Sequence, residues 1–474
     1  MITKLEIDGF KTFRNFQVEL APFQVIVGPN GAGKSNLFDA IQLLARLADD
    51  DLRTAFQELR GDAGEIFALL PDGRPVDHMR LAAEVLVDKT VQDSWGAQAS
   101  IKYTRLRYEL EIARRTDGQG LERLYVDHES LTAIPRGEDS WTKRHGLTAR
   151  SGWLPALTGG RSPFISTTEG ENGIPTISLH QDLHGGRKSG VAAKVERTLL
   201  SGAFNTEFPT AFAVREEMRS WRFLQLNPEE LRKPSSMVGP QAMAADGRYL
   251  AATLARLQAS DPPILADISL DLANLVPGLV RIEVEKDEKR DQYVVWAWME
   301  DGRRFSSRVL SDGTLRMLAL VTLKYDPEHR GVLCFEEPEN GVHPYRLARI
   351  AETLSEFATD FTDGEQNDLP LRQFLCNTHS PVFISQPPIL NSILFAYPVM
   401  RVDPEASSRP ERVTRMVPVQ GPVGQIGFSL PISEAERSYT IEEVKRFLDS
   451  ADFGEARGLL GRNGTSVHVA DVKR

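Results

Sequence analysis

The stretch GPNGAGKS, Gly28 to Ser35, decides the fold of this chain. Before it stands QVIV (Gln24 to Val27), a short apolar run that reads as a buried strand. After it, from Asn36 to Leu47, apolar residues recur at helical spacing: Leu37, Ala40, Ile41, Leu44 and Leu47. Strand, glycine-rich turn and helix are the context in which GxxxxGK[ST] binds phosphate. Gly28, Gly31 and Gly33 free the backbone to curl until successive amides face a phosphate, and the helix start adds its positive dipole end. The expected nucleotide-binding set is Gly28, Pro29, Asn30, Gly31, Ala32, Gly33, Lys34, Ser35 and Asn36. Lys34 would reach the outer phosphates, and the Ser35 hydroxyl would face a magnesium ion.

Two more apolar runs end in chemistry. VLCFEEPENGVHP (Val332 to Pro344) is a run of strand formers closed by two carboxylates, which puts Glu336 and Glu337 at the C-terminal edge of a buried strand. Ligands of open α/β sheets bind at that edge. Glu336 would hold magnesium through water, and Glu337 would polarise an attacking water. FLCNTHSPVF (Phe374 to Phe383) is a second such strand, ending in Thr378, His379 and Ser380, where the histidine can bond a terminal phosphate. In RVLSDGTLRMLAL (Arg308 to Leu320), Ser311 and Asp312 are good N-caps for a helix carrying Leu315, Leu318, Ala319 and Thr322; these residues alone read as an ordinary capped helix, whose first amides could also serve as a second anion site. Cys334 and Cys376 fall on the two apolar runs and read as buried, inert thiols rather than a disulfide framework.

The rest of the chain sets these pieces in order. Residues 2 to 8 alternate and read as a first strand, with no leader-like apolar region. LAAEVLV, SIKYTRLRYELEIA and LERLYVDHESL, between Leu81 and Leu131, alternate over long runs and predict an antiparallel meander. Residues 135 to 190 are rich in Gly, Ser, Thr, Pro and charge and predict a mobile polar loop. Helical spacing returns at Val191 to Leu200, Thr210 to Arg219 and Asp246 to Gln258, and VRIEVEKD with QYVVWAWME predicts a hairpin. The expected division is 1–134 and 301–474 as two halves of one α/β P-loop NTPase head with a mixed sheet core, and 135–300 as an inserted compact, partly helical arm. A net charge of −10 argues against a surface coated in basic groups, though not against a local basic groove. No run of about 18 apolar residues appears, so a cytoplasmic location is expected.

With these motifs in hand, the sequence resembles an ABC-type ATPase head of the SMC, RecF and OLD kind. It has GFKTF before GPNGAGKSN, an LSDGT form of the signature, a strand ending FEEPE, NGVHP in the place of a D-loop, and NTHS with a switch histidine, all in the family's order. It is most similar to stand-alone bacterial ATPases with SDGT and EEPE motifs, and no Toprim nuclease is expected in its C-terminal region. The resemblance implies two copies sandwiching two ATP molecules. Each ATP would touch Lys34 and Ser35 of one copy and Ser311 and Gly313 of the other. It also implies Mg2+ at Ser35 and Glu336, catalysis by Glu337, His379 and Lys34, and a contact from Lys11 near the nucleotide. Asp312, standing where the family has glycine, is expected to point away from phosphate or to cap its own helix. His343 stands at the D-loop acid's place, and Gln181 is the one candidate for a Q-loop glutamine. The expected role is an ATP-driven dimerisation switch in DNA repair or anti-phage defence with a separate nuclease or effector partner. The alternatives are the nucleotide-binding subunit of a membrane transporter, or a nucleotide-gated scaffold with little turnover.

Overall fold

In the computed structural model, residues 1–70, 72–147, 152–154, 162–170, 175–182, 186–191, 195–340, 342, 344–401, 410–420 and 439–449 are described. A seven-stranded sheet runs, edge to edge, through Arg222–Leu224, Gly331–Glu336, Arg372–Thr378, Phe23–Val27, Ile393–Arg401, Glu411–Gln420 and Tyr439–Thr440. Its first five strands are mutually parallel, and Glu411–Gln420 pairs antiparallel to Ile393–Arg401. Both faces of this sheet are covered. Ile26, Val332 and Cys334 enter one hydrophobic core, while Val25, Val27, Leu333, Phe335 and Cys376 enter another on the opposite face. That is why QVIV and VLCF are continuous apolar runs rather than alternating ones. The two buried cysteines point into different cores, and burial pushes both thiols up.

An eight-stranded antiparallel sheet holds Ile2–Asp8, Phe16–Glu19 and the expected meander of His78–Leu86, Arg105–Thr116 and Glu122–Ala133. Its far edge corrects the expectation of a mobile loop at 135 to 190. There Ile165–Glu169, Pro175–His180 and Arg187–Val191 extend the sheet, with Ile165, Ile177 and Leu179 fully buried. Threonine and serine between buried aliphatics suit a strand with one wet face, although the same residues read as loop by composition. Val191 to Leu200, expected as helix, is not one among its described residues. The inserted-arm boundary at 135 is not marked by a break, since these strands continue the N-terminal sheet and Pro209–Arg219 packs in the first core beside the helix Lys34–Leu47. A smaller sheet contains the expected hairpin, Leu279–Asp287 with Gln292–Met299. It packs with Leu250–Ser260, Ile264–Leu275 and Asp312–Tyr325 in the second core. Among the described residues no helix is long and apolar enough to cross a membrane.

Gln373 locks the two large sheets together. Its side chain accepts from the Ile2 amide at 2.8 Å and donates to the carbonyls of Ile2 (2.7 Å) and Ala21 (2.9 Å). It is a buried side chain placed between strands of different sheets. Gln373→Leu would leave three backbone groups without their partner, at about 1–3 kcal/mol for each buried group that stays unpaired. The expected loss is about 3 kcal/mol in a urea titration, and unchanged stability would show that water replaces the amide.

Candidate active site

The geometry follows from strand register. Val27 lies beside Thr378, Ile26 beside Asn377, and Asn377 beside Glu336, so the ends of three parallel strands reach one edge together. At that edge Asn30, Gly31, Gly33, Lys34, Ser35, Asn36, Glu336, Glu337 and Asn377 line a half-open cleft of about 180 Å³. The loop's shape requires glycine at two of its positions. Gly33 caps the helix Lys34–Leu47 at φ +92°, and a Cβ there would sit 2.2 Å from Thr414 Oγ1. A Cβ on Gly28 would sit 2.2 Å from the carbonyl oxygen of Ala396. Pro29 and Ala32 are part of the same loop, with the Ala32 amide donating to the Pro29 carbonyl at 3.2 Å.

Lys34 donates to the carbonyls of Gly28 (2.6 Å) and Pro29 (3.0 Å). Burial lowers its pKa, while Glu337, Glu336 and Glu339 oppose that shift and favour the ammonium form. Glu337 sits at φ +48°, a left-handed conformation that a non-glycine residue holds only when its surroundings fix it. Its amide bonds the Asn377 carbonyl at 3.0 Å, its Oε1 lies 2.9 Å from His379 Nδ1, and its Oε2 accepts from Asn340 Nδ2 at 2.6 Å. Glu336 Oε1 accepts from Asn377 Nδ2 at 3.0 Å. Glu339 accepts from the Thr378 hydroxyl, and burial raises its carboxyl. Asn377 thus orders both acidic residues, a role invisible in the sequence because it depends on which strand lies between the other two.

Ser311 and Gly313 do not line this cleft. Ser311 caps the helix Asp312–Tyr325, accepting from the Thr314 amide at 3.2 Å. Asp312 is turned onto Arg232, whose guanidinium also donates to the Leu310 carbonyl at 3.1 Å. Arg316, on the same helix, donates to the Asn340 carbonyl at 3.2 Å. Lys11 does not itself line the cleft: its ammonium bonds Asp39 Oδ2 at 2.7 Å and the Arg60 carbonyl at 3.0 Å. The reason is local, since Asp39 is almost fully buried on the loop helix and draws in both Lys11 and Arg60. Arg60 is the cation that reaches the cleft edge, 3.4 Å from the Ser35 carbonyl and 4.0 Å from Glu336 Oε1. Nothing in the pattern around Arg60 marked it. Gln181 donates to Glu207 at 2.8 Å and accepts from the Gly186 amide at 3.2 Å, on the far edge of the eight-stranded sheet. His343 lies outside the described residues.

Two family models match parts of the chain. The family described as "AAA domain, putative AbiEii toxin, Type IV TA system" matches residues 180–385, and "RecF/RecN/SMC N terminal domain" matches residues 1–58. The chain is 43% identical over 56 residues to the structural maintenance of chromosomes protein 1 of Schizosaccharomyces pombe, covering 11% of this chain and 4% of that one. It is 32% identical over 148 residues to the DNA replication and repair protein RecF of Citrifermentans bemidjiense, covering 28% of this chain and 38% of that one. The chain therefore spans less than half the length of these curated relatives. Among solved structures, the Smc head domain with an extended coiled coil from Pyrococcus furiosus, bound to the C-terminal domain of ScpA, aligns at 12% identity. Its TM-score is 0.43, over 88% of this chain and 95% of that one.

Proposed function

We propose, from the premise that the chain belongs to the ABC-type ATPase heads of the SMC and RecF kind, that it hydrolyses ATP and works as an ATP-driven dimerisation switch. The observation that carries this reading is a division of labour. The phosphate loop, Glu336, Glu337 and Asn377 share one cleft, while the capped helix start at Ser311 and Gly313 lies outside it and would offer its amides to a second anion. A nucleotide in the cleft of one copy would be closed over by Ser311 and Gly313 of the other. ATP then acts as a ligand of the dimer, and its hydrolysis releases the closed state. Glu337 takes the proton of the attacking water, His379 holds the carboxylate of Glu337 and contacts the terminal phosphate, and Lys34 neutralises charge on the outer phosphates.

The residues present fit a magnesium ion bound with the nucleotide. Among the described residues there is no group of three or more His, Cys, Asp or Glu able to hold a metal by themselves. Magnesium does not require one, since it takes one or two protein oxygens with phosphate and water. Ser35 and Glu336 both line the cleft and would be those groups. The ion would neutralise phosphate charge.

The cellular role we favour is a cytoplasmic switch acting on DNA, in repair or anti-phage defence, with a separate nuclease or effector. Support comes from the RecF and structural-maintenance relatives and from the toxin-system family that matches residues 180–385. Ser311→Asp tests the sandwich. Aspartate caps a helix as well as serine does, so the helix start should survive. Its charge would face the partner's terminal phosphate, and like charges in contact repel. The variant should bind ATP as wild type does but fail to dimerise with ATP by light scattering. Its ATP-dependent dimerisation at wild-type level would remove Ser311 from the shared site.

A further inference from the structure

The strand Glu411–Gln420 carries no recognised motif, yet it grips the back of the phosphate loop. Arg412 Nη2 donates to the Gly31 carbonyl at 3.1 Å, across 381 residues of sequence. Thr414 Oγ1 donates to the Ala32 carbonyl at 3.1 Å. Thr12 and Thr414 share a hydroxyl contact of 2.7 Å, Asn36 Nδ2 donates to Thr12 Oγ1 at 2.9 Å, and the Thr414 amide donates to the Thr12 carbonyl at 2.9 Å. Counting protons fixes the direction. Thr414 spends its only hydroxyl hydrogen on Ala32, and Asn36 Nδ2 can only donate, so the Thr12 hydroxyl must donate to Thr414. The chain runs one way: Asn36 to Thr12 to Thr414 to the Ala32 carbonyl.

We propose that this strand belongs to the nucleotide site, as a template that pre-sets the loop Gly28–Ser35 for phosphate. Arg412 and Thr414 are two residues apart and so point to one side of the strand. From that side they hold the carbonyls of two successive loop residues, Gly31 and Ala32. Neither Arg412 nor Thr414 lines the cleft, so both carbonyls are engaged on its far side. A carbonyl oxygen rotated toward the cleft would oppose a phosphate. Holding two of them back leaves the loop's amides facing inward before any ligand arrives, and affinity gains from that preorganisation. Thr414 is 2% exposed and sits where a side chain on Gly33 would be, so the same threonine also sets the spacing between loop and strand. Arg412 and Thr414 are positioning residues, acting on phosphate only through the loop.

The inference rests on the nucleotide reading above, and ADP titrated by calorimetry separates the two. Thr414→Val keeps the shape and removes the hydroxyl, whereas Thr414→Ser keeps the hydroxyl and removes a methyl group. Template action predicts that Thr414→Val weakens ADP binding roughly tenfold, the ratio for one lost hydrogen bond to a buried carbonyl, with Thr414→Ser within about twofold of wild type. A packing role predicts the reverse order and overturns the proposal. Arg412 is exposed, so Arg412→Met keeps the fold even if the buried variant does not, and it should weaken ADP binding about threefold or more. Wild-type affinity in Thr414→Val and Arg412→Met overturns the template alone. No ADP binding by the wild-type chain overturns the nucleotide site and the template with it.

Discussion

Glu337→Gln should bind ATP at least as tightly as the wild-type chain, turn it over about 10²–10⁴-fold more slowly, and accumulate as a dimer when ATP is present. The amide has the shape of the carboxylate, so the left-handed backbone at Glu337 and its bond to the Asn377 carbonyl should persist. What disappears is the ability to take a proton from water, together with one negative charge at the cleft. Losing that charge favours a polyphosphate, which is why affinity should hold or rise while turnover falls. Phosphate release at saturating ATP, paired with light scattering, reads both effects. Wild-type turnover would mean that Glu337 is not the base, and Glu339 would then be the next carboxylate to test, since burial raises its pKa and it lies against Thr378.

Lys34→Ala should cost about 10²–10³-fold in nucleotide affinity, the ratio for losing charge-assisted bonds to phosphate from a half-buried site. The loss has two sources. The ammonium that would meet the outer phosphates is gone, and the charges of Glu336, Glu337 and Glu339, which Lys34 balances, would then face the incoming anion without it. The folded chain also lowers the lysine's pKa through burial. As pH rises, the wild-type site should therefore begin to lose its cation, and with it ATP affinity, before an ordinary lysine would. Calorimetric titration of ATP measures the first effect, and its repetition at increasing pH the second. Normal affinity in Lys34→Ala would sink the phosphate-loop assignment.

The parts of the site legible in the sequence are those fixed by short-range rules. Ser311 reads as a cap because a serine hydroxyl satisfies an amide three residues on, and the structure has that bond. Glu336 and Glu337 read as strand-end carboxylates because an apolar run ends there. Asp312 could be expected to avoid phosphate on charge alone, but the partner that holds it, Arg232, lies 80 residues away and was not foreseen. Arg60 and Asn377 were missed for the same reason: each matters through a neighbour that is distant in sequence. Lys11, placed near the nucleotide by resemblance, is held by the buried carboxylate of Asp39, a partner the sequence does not show.

The sequence by itself determined the strand, glycine turn and helix from Gln24 to Leu47, because glycine's dihedral freedom and a helix's unpaired first amides act within a few residues. It also determined that two more buried strands end in Glu336–Glu337 and in Thr378–His379. Only the tertiary structure decided that Arg372–Thr378 lies between the other two, so that Asn377 touches the Glu336 carboxylate and the Glu337 amide, and that Glu411–Gln420 backs the phosphate loop. Strands buried on both faces all read as similar apolar runs, and periodicity then says nothing about which pairs with which or in what register. That order is set by the packing of two cores on opposite faces of one sheet.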